Sequence, residues 1–219
     1  MLYQALRSPM SHEPPLRGLL LRRLSLALLY LAPLCVVMSA CLEAGDGPAV
    51  SEGFTPRVSY PEGPYGVEVG DTIEDLSFLQ PTGDEVRLSE LYLNPRKRLL
   101  LVTTSAEWCT ACIKEQPKLQ ELYERYQARG LGVVVTLFQD NNFEPATPAL
   151  AAEWRERYEL SFKVWADPKS PSTFSPYYDV NLTPMVMLIE LDSMSVRYLT
   201  QGFDEEGVVR QIEATLGAP

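Results

Sequence analysis

The sequence predicts an α/β fold built on a central mixed β-sheet flanked by helices. Three observations carry this. Residues 99–104 and 131–138 are continuous apolar, β-branched runs, the pattern of strands covered on both faces. Residues 109–129, 148–158 and 204–216 read instead as helices, the first and last with apolar residues on one face. Strand and helix signals then alternate along the chain, an order that places helices on both faces of one sheet.

Each element has its own local reason. Residues 76–79 and 85–88 flank the turn cluster Pro81-Thr82-Gly83-Asp84, which predicts a hairpin. One helical turn is expected at 89–92. Strand 99–104 leads into helix 109–129, which presents Leu119, Leu122, Tyr123 and Tyr126 on one face. Pro117 is expected to kink that helix, because proline removes a backbone donor and crowds the preceding turn. Gly130 is expected to end it. Strand 131–138, helix 148–158 and a short strand at 162–166 follow, then a helical turn at 173–179. Strands 185–191 and 196–203 are joined by Asp192-Ser193-Met194. Asp204 caps a last helix whose inward face is Val208, Val209, Ile212 and Leu216.

At 219 residues the chain has room for one medium domain with appendages. A hydrophobic content of 46% with 22% charged residues is that of a globular chain. The formal charge is −10, and beyond residue 40 the balance is 15 basic against 28 acidic side chains. A body this acidic lacks the basic footprint that nucleic-acid binding requires.

Arg17, Arg22 and Arg23 precede an apolar run at 24–38 that ends in Met38-Ser39-Ala40-Cys41. A positive flank, a short apolar core and small residues before a cut form an export signal. The run is shorter than the ~20 residues of a spanning helix and contains Pro33. An uncleaved anchor is the alternative, and both readings put the domain outside the cytoplasm. Met38 to Cys41 also resembles the lipobox of bacterial lipoproteins, although Met38 stands where Leu is usual. That resemblance implies a signal peptide over 1–40, a lipid on Cys41 and tethering to a bacterial membrane on its periplasmic side. Residues 41–66 are rich in Gly, Pro, Ser and Glu without a hydrophobic period, so a flexible tether is expected there and the folded domain at 67–219.

Of four cysteines, Cys35 lies in the leader and Cys41 at its end, leaving Cys109 and Cys112 in the body. The protein therefore carries one dithiol and is not a disulfide scaffold. The two thiols lie three residues apart where a strand passes into a helix. At that spacing they can close a small ring and exchange electrons with other thiols. A helix N-terminus carries unsatisfied N–H groups and partial positive charge, which favours a thiolate at Cys109. Cys109 is the candidate nucleophile, and Cys112, one turn deeper, the resolving thiol. Half a zinc site is the competing reading. It needs two more ligands, yet the body offers no third Cys, and the one His is His12 in the leader. No metal and no cofactor are expected.

Glu115 falls on the same helical face as Cys112, where it could exchange a proton with that thiol; a solvated carboxylate is the alternative. Trp108 is read as packing beside the sulfurs and shaping a docking surface, with plain hydrophobic packing as the alternative.

Together these residues resemble the thioredoxin superfamily, and more closely its membrane-tethered TlpA/ResA-type thiol–disulfide oxidoreductases. Val69-Gly70-Asp71 followed by Leu76-Ser77-Phe78 is similar to the family's opening. Trp108-Cys109-Thr110-Ala111-Cys112 with Glu115 and Pro117 is similar to its active-site helix. Phe162 to Asp167 followed by Tyr178-Asp179-Val180 resembles its inserted helix–strand, and Thr183-Pro184 its cis-proline loop. The resemblance covers about residues 67–219. It implies a thioredoxin-like fold with an N-terminal β-hairpin and an inserted helix–strand. It also implies an extracytoplasmic enzyme that reduces protein disulfides and is reset by a redox partner. Glu115 would be a functional residue. The cis-proline loop would face Cys109 and offer the Thr183 backbone to an extended substrate.

The chain also departs from that family. Thr104-Ser105-Ala106 replaces Phe-Trp-Ala, and Thr103 stands where thioredoxins carry a buried acid. The thioredoxin-style internal carboxylate is therefore missing, and proton handling must use another group or solvent. Two related readings are weaker. Thiol peroxidases of similar element order need a hydroxyl residue three places before the reactive cysteine, where this chain has Ala106. Copper-handling relatives use CxxxC with a distant His, neither of which is present in the body.

Overall fold

The computed structural model describes residues 56–219. Cys41, His12, the proposed leader and most of the proposed tether lie outside the described residues. The elements run β1 (Ser77–Leu79), β2 (Glu85–Arg87), α1 (Leu88–Tyr92), β3 (Leu99–Ala106), α2 (Thr110–Tyr126), β4 (Leu131–Gln139), α3 (Pro148–Arg157), β5 (Lys163–Ala166), β6 (Met185–Glu190), β7 (Ser195–Gln201) and α4 (Glu205–Leu216). The strands form one sheet in the order β2-β1-β5-β4-β3-β6-β7. β3, β4 and β5 are parallel; β6, β7 and the β1–β2 hairpin run antiparallel to their neighbours. The inserted α3–β5 unit places β5 between β4 and the hairpin.

β3 and β4 are buried on both faces because they are apolar at both parities. Leu99 and Leu101 of β3 face one core with Leu119, Leu122 and Tyr126 of α2, Trp154 of α3 and Ile212 of α4. Leu100 and Val102 face the other core, with Phe78, Trp165, Phe174 and Met187. Helices were expected on both faces, but the cover is unequal. α2, α3 and α4 all pack on the first face, while the second is closed by the short α1, the hairpin and an irregular segment after β5.

That segment includes residues 173–179, where a helical turn was expected and successive hydrogen-bonded turns occur. The cause lies in one buried carboxylate. Asp167 accepts from the Thr173 amide at 2.6 Å, the Thr173 hydroxyl at 2.7 Å and the Ser172 hydroxyl at 2.9 Å. These bonds, with Pro171 and Pro176 unable to donate, fix the chain in turns instead of a helical ladder.

α2 continues through Pro117 to Tyr126, a 3-10 turn carries on to Arg129, and Gly130 closes it at φ 107°. A Cβ there would lie 3.2 Å from the Arg98 side chain, so only glycine suits both the angle and the space. At α4, Asp204 accepts from the Gly207 amide at 3.1 Å, as its capping role requires.

The packed body begins earlier than the expected boundary at Val67. Arg57 donates to the Lys97 carbonyl at 2.6 Å and lies over the Tyr92 ring, and the Tyr60 hydroxyl donates to the Ile73 carbonyl at 2.9 Å. Isolated Arg and Tyr anchors of this kind leave no periodic trace in a sequence.

Replacing Asp167 with Ala strands three buried donors at once. Asp167→Ala is expected to lower stability by roughly 2–4 kcal/mol, read as a drop in the urea midpoint with an unchanged slope.

Candidate active site

β3 ends at Ala106, which is fully buried, and the chain turns through Glu107 and Trp108 before α2 starts. The turn is held by the Glu107 amide donating to the Gln139 carbonyl and the Cys109 amide to the Ala106 carbonyl, both at 3.0 Å. Cys109 is the N-cap of α2, one position before the first helical residue where it was expected. Its Sγ accepts from the Cys112 amide at 3.1 Å. The helix terminus thus directs an N–H at this sulfur.

Cys109 and Cys112 are joined as a disulfide, with Cα atoms 5.2 Å apart. Cys109 retains 5% of its surface and Cys112 none. Trp108, Ala106 and Phe138 pack around the pair, and of the two residues only Cys109 keeps any surface. Trp108 does pack beside the sulfurs. It is half-buried, meets Phe138 edge-on, and donates from its indole to Gln139 Oε1 at 3.3 Å.

The Thr183–Pro184 bond is cis. Thr183 is brought to the cysteines across the end of β3, its carbonyl oxygen 3.8 Å from Cys109 Sγ. Thr104 holds this loop. Its hydroxyl accepts from the Met185 amide at 3.0 Å and lies 3.4 Å from the Thr183 hydroxyl. Sequence reasoning did not single out Thr104. Its signal was a run of three hydroxyl residues, Thr103 to Ser105, at the end of a strand that begins aliphatic.

Glu115 belongs to the inward stripe of α2 with Cys112, Gln116, Leu119 and Leu122. It is 2% exposed, and its Oε1 accepts from the Thr103 hydroxyl at 2.8 Å. Thr103 stands where thioredoxins carry their buried acid. A buried carboxyl is nevertheless present, supplied from the helix by Glu115 and anchored by that threonine. Burial pushes its pKa up from 4.5 to about 8, against the Thr103 hydrogen bond, which pulls it down. Ser105, Glu115 and Gln116 each leave one buried oxygen without a protein partner, so this niche is polar and unsaturated. The solvated reading of Glu115 is thereby set aside.

Among the described residues no group of three or more His, Cys, Asp or Glu side chains is placed to hold a metal. What the arrangement can do is exchange disulfides. Cys109 is the reachable sulfur, Cys112 the shielded one, and a carboxyl with a pKa near that of a thiol lies one turn further along the same buried face.

A cysteine pair at the start of this helix, opposite a cis-proline loop and on a sheet of this order, defines a thioredoxin-fold protein. More narrowly, the chain belongs to the AhpC/TSA family, whose model matches residues 69–212. It is 24% identical over 163 residues to the thiol-disulfide oxidoreductase ResA of Geobacillus kaustophilus, covering 74% of this chain and 86% of that protein. A Chlorobium tepidum structure assigned by name to the thiol:disulfide interchange protein DsbE superposes with a TM-score of 0.56 at 26% identity, covering 69% of this chain and 100% of that one. The peroxidoxin BcpB of Mycobacterium tuberculosis gives 0.53 at 16% identity over 69% and 97%, a likeness of fold alone.

The raised Glu115 pKa ties stability to pH. The unfolded carboxyl holds its proton only below about 4.5, the folded one up to about 8. The folded state therefore binds more protons between these values, and stability falls as pH rises through them. In the oxidised protein, Glu115→Gln is expected to flatten that fall, which is on the order of 3–5 kcal/mol between pH 4.5 and 8. Urea denaturation at both pH values reads the difference.

Proposed function

We propose that the protein is an extracytoplasmic protein thiol–disulfide oxidoreductase that works in the reductive direction from a lipid anchor on Cys41. One observation carries the exchange chemistry: a Cys109–Cys112 disulfide in which only Cys109 is reachable. The name of the ResA relatives supports the same activity. The positive flank, the apolar run and Ser39-Ala40-Cys41 support export and lipidation.

In the reduced protein the Cys109 thiolate attacks a disulfide in a partner protein. A Cys109–partner bond forms, the partner's S–S bond breaks, and one partner sulfur leaves as thiolate. Cys112 then gives its proton to Glu115 in its carboxylate form and attacks Cys109 Sγ. The mixed disulfide breaks, the second partner sulfur leaves, and the Cys109–Cys112 disulfide of the structure is the product. Two electrons have passed to the partner. An external dithiol returns two electrons to reset the pair. Glu115 suits the proton step because its pKa of about 8 is close to that of an ordinary thiol, ~8.5.

The peroxidatic reading takes support from the family name but meets an obstacle at Ala106, which offers no hydroxyl and is fully buried.

Cys112→Ala is expected to accumulate mixed disulfides with disulfide-bearing substrates, released by dithiothreitol. Cys109→Ala is expected to lose protein-disulfide reductase activity by at least about 10³-fold. If the reduced wild-type protein consumes hydrogen peroxide readily and leaves protein disulfides intact, the proposal fails. Labelling by a radioactive fatty acid that persists in Cys41→Ala would overturn the lipid assignment.

A further inference from the structure

We propose that Phe143 and Leu182 wall a docking surface that selects a particular partner segment: one with apolar side chains beside its reacting sulfur and basic residues flanking them. The inference rests on the exchange reading above and adds the chemistry of the segment that fits.

Phe143 is 63% exposed and has a backbone φ of 63°, a region that residues other than glycine seldom occupy. Water contact on an aromatic ring and a left-handed backbone both cost free energy, and such costs cluster where a side chain is needed outside the core. Local bonds hold the ring in place. The Phe143 amide donates to the Asp140 carbonyl at 3.1 Å. The Asp140 carboxylate accepts from the Asn142 and Glu144 amides at 2.8 and 2.9 Å. Gln139 Nε2 donates to the Phe143 carbonyl at 3.1 Å, while Gln139 Oε1 accepts from the Trp108 indole at 3.3 Å. The Phe143 and Trp108 rings lie 5.6 Å apart. Two hydrogen bonds and a ring contact thus tie an exposed phenylalanine to the residue just before Cys109. A turn that merely joined β4 to α3 would need no aromatic side chain here.

Leu182 is 57% exposed and immediately precedes Thr183, whose carbonyl faces Cys109. β4 and β6 flank β3 on opposite sides, so Phe143 and Leu182 belong to loops on either side of the Cys109 junction. The charges of these loops are acidic: Asp140 and Glu144 on the β4 side, Asp179 on the β6 side. Of the nearby cations, Arg157 is paired with Glu107, and Lys114 lies on the exposed side of α2. Apolar walls in an acidic rim favour an apolar segment with basic flanks and repel an acidic one.

The test mixes the reduced full chain with disulfide-linked peptide dimers, Lys-Phe-Cys-Leu-Lys against Glu-Ser-Cys-Ser-Glu. Hydroxyethyl disulfide serves as the small reference. Each reaction consumes the protein dithiol and releases two thiols. The readout is the ratio of the two peptide rate constants. The wild-type ratio is expected to be about tenfold or more in favour of the first peptide, and Phe143→Ser to lower it about fivefold. Phe143→Leu, which keeps an apolar wall, is expected to restore most of it. A Phe143→Ser ratio within about twofold of wild type overturns the inference. A reduced protein inert even to hydroxyethyl disulfide overturns the exchange reading itself, and this inference with it.

Discussion

β3 is hydrogen-bonded along both edges, in parallel to β4 and antiparallel to β6, and covered on both faces. A strand held on four sides has no freedom to shift register without exposing apolar side chains. Its end therefore fixes three things at once. Ala106 delivers the chain to Cys109, the β4 partner delivers Gln139 and the loop after it, and the antiparallel β6 partner begins at Met185, directly after the cis-proline. The atoms that meet at the disulfide come from chain positions far apart, and only the pairing of this strand brings them together.

The same strand has a chemical polarity that changes along its length. Residues 99–102 are aliphatic, whereas Thr103, Thr104 and Ser105 are buried hydroxyl residues just before the cysteines. On one face Thr103 takes the carboxyl of Glu115; on the other Thr104 takes the amide of Met185. In a low-dielectric interior a carboxyl with one hydroxyl donor is not stabilised enough to stay ionised, so it holds its proton to near pH 8. A helix carboxylate in water would be ionised well below that and could not match a thiol.

Much of this was legible in the sequence, for physical reasons that differ by element. Continuous apolar runs marked β3 and β4 because burial on both faces favours apolar residues at both parities. Asp204 marked α4 because a cap needs a short acceptor. The cysteine pair stood out because its spacing has few other uses. The helix alone placed Glu115 on the Cys112 face but left its burial open, since a solvated carboxylate fits the same spacing. The deciding trace lay at Thr103, a polar residue at an inward strand position that needed something to bond. The turns at 173–177 depended on Asp167, which reaches forward to Ser172 and Thr173. Phe143 is a lone aromatic in a polar loop, and its meaning rests on contacts with Trp108 and Gln139 that no local pattern encodes.

Cys112 has no surface of its own, yet it lies one helical turn from the only sulfur a visitor can reach. Any molecule that becomes covalently attached at Cys109 is thus bound next to its own release agent, which acts intramolecularly and needs no third party to diffuse in. Adducts are therefore self-limiting. A poor substrate, or a small thiol captured by accident, is shed as readily as a good one, and the protein's surface stays clear for the next encounter.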